Sequence, residues 1–118
     1  MQNADKDLAA RTKNFARRII RLCLALSKET VAQILGRQAP RSGTSVGANY
    51  REANRARSKA EFVSKIGDCL KEADETAYWL ELLADEKIVP RKRLEPLLGE
   101  TDQLIAILVT ISKHARRE

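Results

Sequence analysis

A chain of 118 residues with 43% hydrophobic and 32% charged side chains has the makeup of one soluble globular domain, residues 1–118, and not of a disordered or fibrous polymer. Aromatics are only 4%, and five Gly and three Pro supply little turn chemistry, which argues against a β-sandwich or barrel. A net charge of +6 favours attraction to polyanions without naming one.

The first apolar pattern runs from about residue 5 to residue 35. Leu8, Thr12, Phe15, Ile19, Leu22 and Leu26 recur at alternating spacings of three and four, so they share one helix face. Cys23, Val31 and Ile34 widen that face, and Gly36 suits a helix stop. The second helix is predicted over 40–54. Pro40 suits the first helical position, where its missing N–H needs no partner. Gly43, Val46, Tyr50 and Ala53 form a narrow stripe. Ser42, Gly43, Ser45, Gly47 and Ala48 are small residues that a lone helix tolerates poorly, since each Gly costs about 1 kcal/mol relative to Ala. They fit a short buried helix whose backbone approaches its neighbours closely.

Ser58 and Glu61 form an S-x-x-E capping box that opens a third helix over 59–85. Phe62, Ile66, Cys69, Ala73, Thr76, Leu80 and Leu83 then keep a heptad-like repeat. The fourth helix is predicted over 91–117 on Leu94, Leu97, Thr101, Leu104, Leu108, Ile111 and Ala115, with its second turn loosened or kinked by Pro96. Four amphipathic helices with short connections predict an all-α, up-down-up-down antiparallel four-helix bundle. Ile20, Leu24, Trp79, Leu82 and Ile107 exceed what one core needs, and this surplus points to self-association into a homo-oligomer.

Charge is segregated along the chain. Residues 1–37 carry +5, residues 38–60 carry +4, residues 61–90 carry −5 and residues 91–118 carry +2. Arg51, Arg55, Arg57 and Lys59 cluster where the second helix ends, and Arg17, Arg18 and Arg21 lie on the first. Lys and Arg in such groups are the residues that contact RNA or DNA phosphates and release counterions. Base-stacking aromatics are scarce there, since only Tyr50 lies in the basic cluster and it belongs to the core stripe. The same segregation would let acidic and basic faces of neighbouring subunits meet.

No catalytic constellation is present. His114 is the one histidine, and no Glu-x-x-His pair, P-loop or H-E-x-x-H occurs. Glu72 and Glu75 share a face with Trp79 but read as solvated carboxylates. No metal site and no cofactor is expected. Cys23 and Cys69 fall in apolar patterns, as reduced core thiols do. No apolar run approaches a membrane span of about 20 residues, and the start MQNADKDLAARTK lacks a hydrophobic signal core. A cytoplasmic location without membrane contact is expected. Asn49 and Glu52 stand out among small residues, as groups orienting two helices or as an exposed polar pair.

The run from Ser45 to Leu83 resembles the central signature of bacterial 23S rRNA-intervening-sequence proteins, which are related to the accessory variability determinant of diversity-generating retroelements. The pattern S-[IV]-x-A-N-x-x-E-G, basic residues, then S-x-x-E-[FY], is matched by Ser45, Val46, Ala48, Asn49, Glu52, Arg55, Arg57, Ser58, Glu61 and Phe62. Ala53 stands where that pattern usually has Gly. The resemblance implies a four-helix bundle assembled as a ring, commonly a pentamer, with a basic surface and no catalytic residues. It also implies two alternatives: binding of nucleic acid or a ribonucleoprotein, or a scaffold recruiting a reverse-transcriptase-like partner without touching nucleic acid.

Overall fold

A computed structural model of the chain describes residues 2–117. Four helices, α1 (Gln2–Leu24), α2 (Thr30–Asn54), α3 (Lys59–Asp85) and α4 (Arg91–Arg117), form an antiparallel bundle with extents of 47 × 22 × 20 Å. Each helix packs on its sequence neighbours. The α2–α3 contact is the most extensive, and α1 and α4 close the bundle through a much thinner seam.

The core follows the predicted stripes. Phe15 and Ile19 on α1, Val46 and Tyr50 on α2, Ile66, Leu80 and Leu83 on α3, and Leu94, Leu104 and Leu108 on α4 are almost wholly removed from water. Cys69 is buried among them, and burial pushes its thiol up to about 12. Half-buried Cys23 is raised to about 11 for the same reason. Both therefore act as small apolar fillers.

The first two helix boundaries differ from the sequence expectation. The first helix does not run from 5 to 35, and the second does not begin at Pro40. The chain breaks between Leu24 and Thr30 instead, and α2 passes through Pro40. The last turn of α1 tightens, with Ala25 N–H bonding Leu22 O at 3.2 Å and Leu26 N–H bonding Cys23 O at 3.2 Å. Gln33 Nε2 then donates to Ser27 O at 2.8 Å and Gln33 N to Glu29 O at 2.9 Å, which starts α2. A single helix of some 30 residues would leave nothing to cover the far half of α3. The break turns Ala32, Leu35 and Ala39 onto the core and leaves Val31 and Ile34 in solvent. Both of those had been expected on the buried face.

Pro40 is tolerated in the helix interior although it offers no N–H to Gly36 O. The hydroxyls that follow fold back on the helix. Thr44 Oγ1 donates to Pro40 O at 2.7 Å, Ser45 Oγ to Arg41 O at 2.8 Å and Ser42 Oγ to Gln38 O at 3.2 Å. Ser42 also meets Thr76 of α3, their oxygens 2.8 Å apart in the buried α2–α3 seam.

The small residues of α2 do what their size suggests. A Cβ at Gly43 would stand 3.1 and 3.2 Å from the two branches of Ile19, and one at Gly47 would stand 3.2 Å from Thr12 Oγ1. The α1 and α2 backbones thus approach more closely than side chains would allow.

Helix α3 begins as the capping box requires: Ser58 is extended and its Oγ accepts the Glu61 N–H at 3.0 Å. It ends in a Schellman arrangement. Ile88 N–H bonds Leu83 O at 3.0 Å and Lys87 N–H bonds Ala84 O at 3.1 Å, with Lys87 in the left-handed region at φ 57°. Helix α4 runs without interruption through Pro96, whose missing N–H would have served the exposed Lys92 carbonyl. Across the thin α1–α4 seam, Arg11 grips Glu100 with two bonds of 2.7 and 3.1 Å and reaches Gln103 Oε1 at 3.0 Å.

Candidate nucleic-acid interface

The candidate cations are placed by the ends and outer faces of α1 and α2. Arg51 stands in the last turn of α2, Arg55 is its C-cap residue, Arg57 lies in the turn and Lys59 is the first residue of α3. All four are exposed, as are Arg17 and Arg21, whereas Arg18 is half-buried. None of the seven forms an ion pair among the described residues.

The structure does not gather these seven into one patch. Gly43 against Ile19 and Gly47 against Thr12 fix the antiparallel α1–α2 register. At 1.5 Å per residue, these contacts put Arg17 about 9–14 Å and Arg21 about 15–20 Å along the bundle from Arg51. They are stations along one face. Between them sits a groove of about 330 Å³, floored by Ala9, Thr12, Ala16, Thr44, Gly47 and Ala48 and rimmed by Lys13 and Arg51. Lys13 was missed by sequence reasoning, although its spacing offered the signal: Lys13, Arg17 and Arg21 recur every four residues.

The electrostatic contrast with the rest of the bundle is large. Residues 8–51 hold nine Lys or Arg and one acid, Glu29, whereas α3 holds three basic and seven acidic residues. Asp68, Asp74, Glu81 and Asp85 of α3 are exposed. The two faces therefore carry opposite fields.

The motif residues support helices. Ser45 bonds its own helix, Ser58 caps α3 by accepting the Glu61 N–H, and Glu52 accepts from Lys65 Nζ of α3 at 2.9 Å. The Glu52 carboxylate, through that hydrogen bond first, holds the Lys65 ammonium above its ordinary range. Glu52 is thus an orienting group between α2 and α3, and half-buried Asn49 lies one turn before it on α2. The same seam contains the Arg41–Glu75 ion pair. The carboxylate atom Glu72 Oε1 and the indole Trp79 Nε1 are buried without a partner among the described residues, so Glu72 is not the solvated surface acid its spacing suggested.

Among the described residues no cluster of three His, Cys, Asp or Glu could hold a metal ion. No described helix is long and apolar enough to cross a membrane.

A solved structure supports the same fold. It is a protein of unknown function from the S23 ribosomal protein family from Bacteroides thetaiotaomicron, 38% identical, with a TM-score of 0.86 over 92% of this chain and 97% of that one. No curated protein matches the chain. The family model of the 23S rRNA-intervening sequence protein matches residues 5–110, which span all of the α2–α3 hairpin and its capping box. The chain therefore belongs to the family of 23S rRNA-intervening sequence proteins.

Proposed function

We propose that this chain is a non-enzymatic bundle that assembles into a ring of copies and binds nucleic acid, or a ribonucleoprotein, through its α1–α2 face. The observation that carries the reading is the run of nine cations against one acid over residues 8–51, continued by Arg55, Arg57 and Lys59. Arg11 and Arg41 are held by Glu100 and Glu75, but Lys13, Arg17, Arg18, Arg21, Arg51, Arg55, Arg57 and Lys59 form no ion pair among the described residues and can exchange counterions for phosphates. The mode of contact follows from what accompanies them. Phe15 and Tyr50 are buried and Phe62, near the Arg55–Lys59 turn, is half-buried against the core, so among the described residues no fully exposed ring stands beside Lys13, Arg17, Arg51 or Arg55 to stack a base. The face suits phosphate backbones held at fixed spacing, as in a duplex or a folded RNA, better than a splayed single strand.

A salt titration of binding to a structured RNA tests this. Removing three phosphate contacts with Arg51→Ala, Arg55→Ala and Arg57→Ala should flatten the log–log salt slope by about 2 to 3. No detectable binding at low salt, or an unchanged slope, overturns the reading. The other reading, a scaffold that recruits a reverse-transcriptase-like protein, is favoured by exposed Tyr78 beside the acidic groups of α3. It predicts a partner that stays bound after nuclease treatment and is indifferent to the three arginine changes.

A further inference from the structure

The exposed cations do not stop at Lys59. Helices α3 and α4 are equally long, 27 residues each, and pack antiparallel across the 86–90 turn. Arg91 Nη2 donates to Asp85 Oδ1 at 2.6 Å beside that turn, so the two helices leave it in register. Equal lengths then bring the last turn of α4 level with the first turn of α3. Helix α2 ends there too, since Glu52, two residues before its last, meets Lys65 in the second turn of α3. One end of the bundle therefore gathers Arg55, Arg57 and Lys59 around the α2–α3 turn with Lys113, Arg116 and Arg117 of α4.

All six are exposed, and none forms an ion pair among the described residues. Lys113, Arg116 and Arg117 are spaced by three and four, so they share one face of α4, outside the buried Ser112 and Ala115. The helix dipole accounts for cations in the last turn. It does not account for Lys113 a turn earlier, nor for the lack of any acid between Asp102 and Arg117. Of the acids in the last turn of α2 and the first of α3, Glu52 is engaged by Lys65, which leaves Glu61. The large apolar side chains that are exposed, Ile20, Leu24, Val31, Ile34 and Tyr78, all lie outside these segments. A protein interface wants an apolar centre, whereas cations without one suit a phosphodiester backbone. We propose that Lys113, Arg116 and Arg117 are phosphate contacts, and that a bound nucleic acid continues from the α1–α2 face over this end of the bundle onto α4. The inference rests on the reading of the chain as a nucleic-acid-binding protein and extends its footprint to a helix outside that face.

A salt titration of the full chain with a hairpin RNA, read by fluorescence anisotropy, tests it. Lys113→Ala, Arg116→Ala and Arg117→Ala together should flatten the log–log salt slope by about 2 to 3. Helix content and unfolding midpoint should be unchanged, because all three positions are exposed. Lys28→Ala, Lys92→Ala and Arg93→Ala remove the same charge from the opposite end and should leave the slope as it was. Equal flattening by both triple variants overturns the inference, because net charge alone would then explain the loss. An unchanged slope in the α4 variant, with a flattened one in the Arg51, Arg55, Arg57 variant, overturns the α4 contacts and leaves the α1–α2 reading standing. A wild type that binds no RNA at low salt overturns both. Displacement of the RNA by poly-L-glutamate at equal charge concentration also overturns the inference, since any polyanion would then serve.

Discussion

Gly43→Ala isolates the closeness of α1 and α2 in one methyl group. The change has a favourable part, since Ala is better than Gly in a helix interior by about 1 kcal/mol. It also has an unfavourable part. The new Cβ would stand 3.1 and 3.2 Å from Cγ1 and Cγ2 of Ile19, well inside the favoured carbon–carbon separation of about 3.5–4.0 Å. Ile19 is wholly buried and β-branched, so rotating one branch away brings the other in. Overpacking of this kind costs about 1–3 kcal/mol. The two parts together predict a net loss of about 1 kcal/mol, read as a lower urea midpoint with an unchanged m-value in circular dichroism at 222 nm. The decisive measurement is the cycle with Ile19→Ala. That change should cost less in the Gly43→Ala background than in the wild type, because it removes both clashing γ carbons. A stabilised Gly43→Ala protein whose effect simply adds to that of Ile19→Ala would refute the close-approach account.

Lys87→Gly should stabilise the chain. A left-handed residue other than Gly costs about 1–2 kcal/mol, part of which is offset by the looser unfolded chain, so a gain of about 0.5–1 kcal/mol is expected by thermal unfolding. Pro40→Ala should also stabilise, by about 1–3 kcal/mol in urea titration, because it restores a donor to the Gly36 carbonyl; a loss would show that α2 depends on the proline. Cys69 should resist Ellman's reagent in the native state at pH 8 and react fully in urea. Its folded thiol titrates near 12 against an ordinary 9.0. The native state therefore holds its proton longer than the unfolded state, so its contribution to stability is complete below about pH 9 and is lost as the pH climbs toward 12. A Cys69→Ala protein should lose less stability over that alkaline window.

The second half of the fold was legible because its punctuation agrees with its periodicity. Ser58 and Glu61 mark the start of α3, and its apolar repeat stops where Asp85, Glu86 and Lys87 begin. The first half was not, for a definite reason. In LALSKETVAQIL the apolar spacing carries across the break, and residues 25–29 contain neither Gly nor Pro. Pro40, a good first helical residue, supplied a false boundary, since its cost inside α2 is outweighed by the burial of Ala32, Leu35 and Ala39 on its N-terminal side. The surplus of apolar residues was legible, but its address was not. Trp79, Leu82 and Ile107 lean on the core, while Val31 and Ile34 take their place in solvent. The arginines were legible as exposed groups. Their spacing along the bundle depends on the α1–α2 register, which no local pattern encodes.

The contact pattern of the helices has a kinetic consequence. Since each helix leans on the one before and after it, native contacts are mostly near in sequence, and the chain can fold without closing long loops early. The α2–α3 hairpin, with the richest interface and its own polar latch at Ser42 and Thr76, is the natural nucleus. Helices α1 and α4 dock onto it afterwards, each on its own hairpin neighbour, and are joined to each other only through the thin seam around Arg11 and Glu100. The amides of these two outer helices should exchange with solvent ahead of those in the hairpin, so the helix that bears Arg17 and Arg21 sits on a more yielding support than the one that bears Arg51.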